Sequence, residues 1–391
     1  MKISEPNRLR ILYFLFFSCT AAWLPIFADY LKEHDISRLN IGVILSVTPF
    51  MMFTIQPLYG MLADRIGYKM CLVFSALFAA VTYVFYLFDG NFAYLFAVTV
   101  FMSFFYNSIQ PLLDSLSLTL IQKNPAFSYG TLRLAGAVGW ACTGILTGYF
   151  IDKVDTSVIF VFSAVSMALT FLIALTLHVD KSFVKAAAPS SVRKDLSEIL
   201  GNARLLFLLL CVFLIYAASS PIYYFYSIYM KENGASSSLI GAAISFQGLC
   251  EIPLFYYSAR IIKKLGLKTT LLVCVAATAL RLILYSITRI PYLAVPIELL
   301  HGIGWSLFWV ACVEQVNILV KEEARATGQS FLYAALLGAG AIAGNMWTGF
   351  LYETQMKVSQ IYLLNAGIVI AIGIFMFAFM RPVASGTTQR I

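Results

Sequence analysis

Twelve apolar runs of about 18 residues or more, separated by short polar breaks, dominate this chain and dictate what it can fold into. They run roughly over 10–32, 41–63, 70–88, 92–121, 128–151, 156–178, 204–230, 238–262, 269–287, 291–319, 326–352 and 358–380. A run of that length, wound as an α-helix, crosses a hydrocarbon core of about 30 Å. Inside hydrocarbon every backbone N–H and C=O must find its partner within the segment or in a closed barrel. Alternating segments of about ten residues, the mark of a barrel, do not occur. The expected class is an all-α integral membrane protein with twelve transmembrane helices. A composition 60% hydrophobic and 12% charged excludes a soluble globule. The first 30 residues read as a span rather than a cleavable signal, because the apolar stretch is too long and lacks a small-residue cleavage site.

The polar breaks set the orientation. Of 27 lysines and arginines, roughly 19 fall in the N-terminal tail, alternate turns, the 179–204 segment and the C-terminal tail. The opposite loops hold only Lys32, Arg38, Lys153, Lys231, Arg289 and Lys357. The positive-inside rule therefore predicts cytoplasmic termini in an inner or plasma cell membrane. The net charge of +8 follows from this topology and calls for no nucleic-acid partner. The seven cysteines lie in apolar runs without metal or redox spacing, and read as small buried hydrophobes with no disulfides.

The longest polar segment divides the chain into an N-terminal half (1–178), a cytoplasmic linker (179–203) and a C-terminal half (204–391). The halves resemble each other. Ile41-Gly42 precedes Ile240-Gly241 by 199 residues, and DRIGYK (64–69) precedes KKLGLK (263–268) by the same offset. AAWLPI (21–26) and AASSPI (217–222) are similar at an offset three shorter. Two six-helix pseudo-repeats are thus expected, an architecture in which transporters bind solute at the midplane.

A charge within such a span costs at least about 2.5–3.5 kcal/mol, so intramembrane charges are rare, paired and functional. Asp114 ends one run and Arg133 starts the next. The turn between them centres near Lys123 and Asn124, which places both charges at one depth in a helix hairpin. Arg281 and Glu298 are likewise nearly equidistant from a turn at Arg289 and Ile290. His301 follows Glu298 by three residues on the same face, and Glu251 is a further acid expected to be buried. Tyr106, Asn107 and Gln110 lie on the run that ends at Asp114, as candidate cavity residues. Tyr223, Tyr224 and Tyr226 read as an interface belt or as cavity residues. Gly338, Gly340 and Gly344 read as packing positions.

The turn after the second run reads Gly60-Met61-Leu62-Ala63-Asp64-Arg65-Ile66-Gly67-Tyr68-Lys69. It resembles the G-x-L-a-D-r-x-G-r-K signature of the major facilitator superfamily. That resemblance implies the major facilitator fold, with Gly60, Asp64, Arg65, Gly67 and Lys69 forming an inward gate. Lys263 stands where the second copy would have the acid, so any gate there works differently.

The stretch Tyr129-Gly130-Thr131-Leu132-Arg133-Leu134-Ala135-Gly136-Ala137-Val138-Gly139-Trp140 is similar to the fifth helix of the lactose permease group, which includes oligosaccharide, nucleoside and phenylpropionate proton symporters. In that group the helix carries a sugar-binding arginine and, seven residues on, a stacking tryptophan. Arg133 and Trp140 keep this spacing, and Asp114 stands near the place of an essential glutamate on the fourth helix. The chemistry is sensible independently: guanidinium and carboxylate groups bind hydroxyls bidentately, and seven residues bring Arg133 and Trp140 to one helix face. A purely structural Asp114–Arg133 pair is the alternative. On the tenth helix the group has Lys, His and Glu at successive three-residue steps. Here His301 matches, Glu298 replaces the lysine and Gly304 takes the place of the proton-carrying glutamate. Span seven also lacks the group's acid. The proton is therefore expected on Glu298, His301 or Glu251, with Arg281 as counter-charge. Desolvation favours a neutral carboxyl and a paired arginine favours the carboxylate, so making and breaking such a pair can load and release a proton.

The expected function is a monomeric secondary active transporter that takes up a small polar solute, a sugar or oligosaccharide foremost, with a proton by alternating access. Nucleoside or aromatic-acid symport is one alternative. Drug or metabolite export is another, weakened because the fifth helix has glycines but no proline. No metal cluster, serine elbow or phosphate loop points to an enzyme. The lipid bilayer, a solute and a proton are the expected partners, and the proton gradient stands in place of a cofactor.

Overall fold

The computed structural model describes residues 4–123, 129–178, 199–321 and 324–381. Among them it contains 12 helices long and apolar enough to cross a membrane, and no strand. They are α1 (Glu5–Glu33), α2 (Arg38–Ile66), α3 (Tyr68–Phe85), α4 (Phe92–Lys123), α5 (Tyr129–Lys153), α6 (Val158–Leu175), α7 (Ala203–Tyr224), α8 (Ser237–Leu265), α9 (Leu267–Ile287), α10 (Pro291–Leu319), α11 (Thr327–Glu353) and α12 (Val358–Phe379). Large apolar side chains such as Phe101, Ile374 and Phe377 stand exposed on outward faces. In water such a surface would be a liability; in a bilayer it is the surface that lipid tails cover.

The repeat is visible in how the helices pack. α1 packs on α5 and α6, and α3 packs on α4 and α6; α7 packs on α11 and α12, and α9 packs on α10 and α12. Adding six to each helix number converts the first set into the second. The same correspondence holds in detail at the short turns. Gly67 (φ 93°) joins α2 to α3, and Gly266 (φ 77°) joins α8 to α9. Glycine takes that backbone conformation without the strain a Cβ would bring, so a single residue suffices to join the two helices. Two residues on, Lys69 donates from Nζ to the Leu177 carbonyl beyond the end of α6, at 2.7 Å. Lys268 does the same to the Phe377 carbonyl at the end of α12, at 2.8 Å. Orphan carbonyls and the negative end of a helix dipole attract a cation there.

α1 and α7 break at matching places. α1 is helical over Glu5–Trp23 and again over Phe27–Glu33. α7 is helical over Ala203–Ser219 and over Pro221–Tyr224, and a further helix follows at Tyr226–Glu232. Pro25 and Pro221 sit at these breaks, since proline lacks the N–H and its ring crowds the preceding turn.

Contacts group the described residues into two compact units. One draws on Met1–Ala187 and Tyr224–Gly248, the other on Ala188–Tyr223 and Leu249–Ile391. The expected linker lies, up to residue 198, outside the described residues. Tyr224–Gly248 follows that linker in sequence yet packs with the first unit, because small residues let the start of α8 lie directly against α5. A Cβ on Gly241 would collide with the Gly144 carbonyl, and one on Gly148 with the backbone of Ser237.

Candidate functional site

Each unit carries its own cluster of buried polar groups. In the second unit the cluster is built by α8, α9 and α10. Gly302 lets α10 approach α8 so closely that a Cβ there would meet the Cys250 carbonyl, and this sets Glu251 beside His301. From His301 onward α10 widens into a π-helical stretch, Gly302–Leu307. Such insertions re-aim side chains and often mark functional positions.

The charged groups form one bonded chain. Arg281 pairs through Nη2 with Glu298. Tyr285 donates to the other Glu298 oxygen at 2.5 Å. Arg281 Nη1 lies 3.1 Å from His301 Nδ1, and His301 Nε2 lies 2.7 Å from Glu251. An arginine can only donate, so Nδ1 must accept and the imidazole proton must sit on Nε2, where it donates to Glu251. Arg281, Glu298 and His301 are 3%, 1% and 2% exposed, whereas the Glu251 side chain is 30% exposed. The expectation that Glu251 is buried is therefore corrected: it is half-buried and forms the rim of the cluster. Arg281 also lies over the rings of Tyr223 and Tyr285, at 5.7 and 5.5 Å, and the faces of these rings favour a cation. Tyr223, at the break in α7, belongs to this cluster and not to an interface belt. The break is the signal that could have found it.

In the first unit, α1 joins the two charges of the α4–α5 hairpin. Tyr13 donates to Asp114 at 2.7 Å and accepts from Ser117 at 3.1 Å. One turn further on the same face, Phe17 lies 5.6 Å from the Arg133 guanidinium carbon. Asp114 and Arg133 are both half-buried. Tyr13 was invisible to sequence reasoning, being one uncharged residue in an apolar run.

Two other expected solute contacts have partners within the protein. Tyr106 bonds Thr20 at 2.6 Å, stacks on Phe16 and is 6% exposed. Asn107 donates to the Thr48 carbonyl at 2.9 Å. A phenol or amide inside a bundle must find a partner, and these two found theirs on α1 and α2. Gln110 is half-buried. Trp140 is half-buried and donates from its indole N–H to the Ile244 carbonyl at 3.2 Å, which ties α5 to α8. Of the signature turn, Gly67 is the hinge glycine, Lys69 caps the end of α6 and Arg65 is exposed. The side-chain surroundings of Gly60 and Asp64 lie outside the described residues. All seven cysteines are free; Cys142 is exposed, which corrects the expectation that all are buried, because α5 turns that face away from its neighbours.

Twelve membrane-crossing helices in two packed repeats, with a buried ion cluster in the second unit, define a polytopic transporter of the major facilitator fold. The MFS_1 like family model matches residues 7–364, and the chain belongs to that family. It is 26% identical over 355 residues to the maltose permease of Geobacillus stearothermophilus, covering 90% of this chain and 89% of the permease. It is 25% identical over 367 residues to the probable 3-phenylpropionic acid transporter of Escherichia coli strain K12, covering 90% and 93%. The raffinose permease of Escherichia coli is 21% identical over 390 residues, covering 93% and 89%. In fold the chain matches the crystal structure of the nucleoside transporter NupG, with a TM-score of 0.85 over 97% of this chain and 100% of that one, at 19% identity.

Proposed function

We propose that the protein is a proton-coupled symporter that takes up a small neutral polar solute, with a sugar or oligosaccharide favoured. It works as a monomer in the cell membrane with both termini in the cytoplasm, without enzymatic activity, cofactor or nucleic-acid partner. The single observation that carries the reading is the bonded chain Glu251–His301–Arg281–Glu298–Tyr285. With neutral His301 its formal charge is −1, and one proton brings it to zero in a medium where net charge is costly. The bonding pattern supports Glu251 as the entry point. A proton on its carboxyl leaves every existing bond possible, whereas a proton on His301 Nδ1 sets a donor against the Arg281 donor and must break that bond. Proton transfer inward along the chain therefore requires rearrangement, which is what coupling needs.

The solute is assigned to Asp114 and Arg133, with Tyr13 orienting the carboxylate and the Trp140 indole as the aromatic plate. Maltose and raffinose permeases among the relatives support a sugar. Phenylpropionate and nucleoside carriers keep an aromatic acid and a nucleoside as second readings, and a solute exporter is the third. Purified protein in liposomes with an inward proton gradient should accumulate maltose or raffinose over uridine and 3-phenylpropionate. A proton ionophore should abolish accumulation and leave equilibration intact. Accumulation that ignores the ionophore removes proton coupling; accumulation of only the aromatic acid or the nucleoside selects that alternative.

A further inference from the structure

We propose that Asp152 is the latch of an outer gate formed by α5 and the first half of α8. The inference rests on the alternating-access reading and on the proposed orientation, which puts the C-terminal end of α5 outside. Asp152 is exposed, yet its carboxylate accepts from the Ser237 and Ser238 amides, each at 2.8 Å, and from the Ser238 hydroxyl at 2.5 Å. Ser236 caps the Leu239 amide of α8; Asp152 adds, from another helix, acceptors for the two preceding amides, and it sits at the positive end of the α8 dipole. Lys231 donates to the Ser237 hydroxyl at 2.8 Å. Lys231 also helps to compensate Asp29, a 5%-exposed acid near the end of α1.

Below the latch the seam is close. The Ser245 hydroxyl donates to the Ala141 carbonyl at 2.5 Å, and the glycines at 144, 148 and 241 bring the two backbones into direct contact. α5 and α8 belong to different six-helix repeats, so alternating access requires this seam to part and re-form in each cycle. Backbone contacts at glycines part without unthreading. Bonds to an exposed carboxylate can be exchanged for bonds to water, so the latch holds without locking. The Trp140 indole, bonded to Ile244 within the same seam, is placed to transmit solute contact to the gate.

The test needs no solute, so its failure is separable from failure of the symport reading. Ser245→Cys puts a thiol at a position 2% exposed, in a Cys142→Ser background that removes the one exposed native thiol. Cells expressing the full chain are treated with a membrane-impermeant maleimide. Asp152→Ala should raise the labelling rate at residue 245 about tenfold, and Ser238→Ala, which removes one of the three bonds and should fold in any case, about threefold. Asp155→Ala is the control: Asp155 caps Ser157 within its own loop and should change nothing. Equal rates in Asp152→Ala, Ser238→Ala and the parent overturn the latch, as does an equal acceleration by Asp155→Ala. Acceleration only in inside-out vesicles supports the latch and overturns the orientation.

Discussion

At the residue scale, Glu298 and Glu251 are two acids on one chain of bonds, and burial separates their roles. Glu298 is 1% exposed and neutralises a buried arginine. Glu298→Gln leaves Arg281 uncompensated, and removing one partner of a buried ion pair costs about 3–5 kcal/mol. A marked fall in melting temperature of the purified protein is expected. Glu251 sits at the rim with its side chain 30% exposed, so Glu251→Gln should melt close to the parent. It imitates the protonated carboxyl, and should retain solute exchange while losing uphill uptake. Uphill uptake by the glutamine variant transfers the proton to another group. Arg133→Lys should weaken solute binding at least tenfold in a titration, because a point charge cannot reproduce the bidentate fork. Unchanged affinity would confine Arg133 to packing over Phe17.

Residue reasoning read part of these clusters from the sequence. The Arg281–Glu298 pair was legible because equal distance from a turn means equal depth in a hairpin, a local geometric fact. The His301–Glu251 bond was not, since those residues are separated by a whole helix, α9, and nothing local relates their faces. The same reason hid Tyr13 behind Asp114 and the bonds of Tyr106 to α1 and of Asn107 to α2.

At the element scale, the signature turn does a mechanical job in both repeats. Gly67 and Gly266 carry positive φ, and two residues later a lysine reaches the end of the last helix of its half. Gly67→Ala forces an L-residue into the left-handed region at a cost of about 1–2 kcal/mol. Gly266→Ala should cost the same, since the two turns are equivalent. Thermal unfolding of the two single variants should show similar drops. Unequal drops would mean that the repeats share sequence without sharing mechanics. The breaks in α1 and α7 and the π-helical stretches of α10 and α11 are also element-scale features. The proline-marked breaks could be read from sequence, whereas the π-helices depend on how neighbouring helices pack.

At the scale of the whole molecule, the chain spends its charges economically. Lysines and arginines gather on alternate loops, and within the spans Arg281, Glu298, His301 and Glu251 form a cluster that the packing of α8, α9 and α10 closes. The loop asymmetry leads to a direct expectation about sidedness. In the same Cys142→Ser background, a cysteine in place of Arg65 should resist the impermeant maleimide in intact cells and react in inside-out vesicles, while one in place of Asp155 should do the reverse. The opposite pattern would invert the proposed topology.

The sequence by itself determined the number of spans, their approximate ends, the two-fold repeat and the transporter class. The first three rest on local physics: in hydrocarbon a segment must satisfy its own backbone, and a turn that needs positive φ needs glycine; the class rests on the resemblance of the signature turn and the fifth helix to known transporters. The tertiary structure alone decided which polar side chains meet. Spans that are apolar on nearly every face carry little periodic signal to say which face turns inward. In a bilayer close packing and hydrogen bonding between helices, not the removal of apolar surface from water, make that choice. Tyr13 under Asp114, Glu251 beside His301 and Asp152 over the start of α8 are the results of that choice.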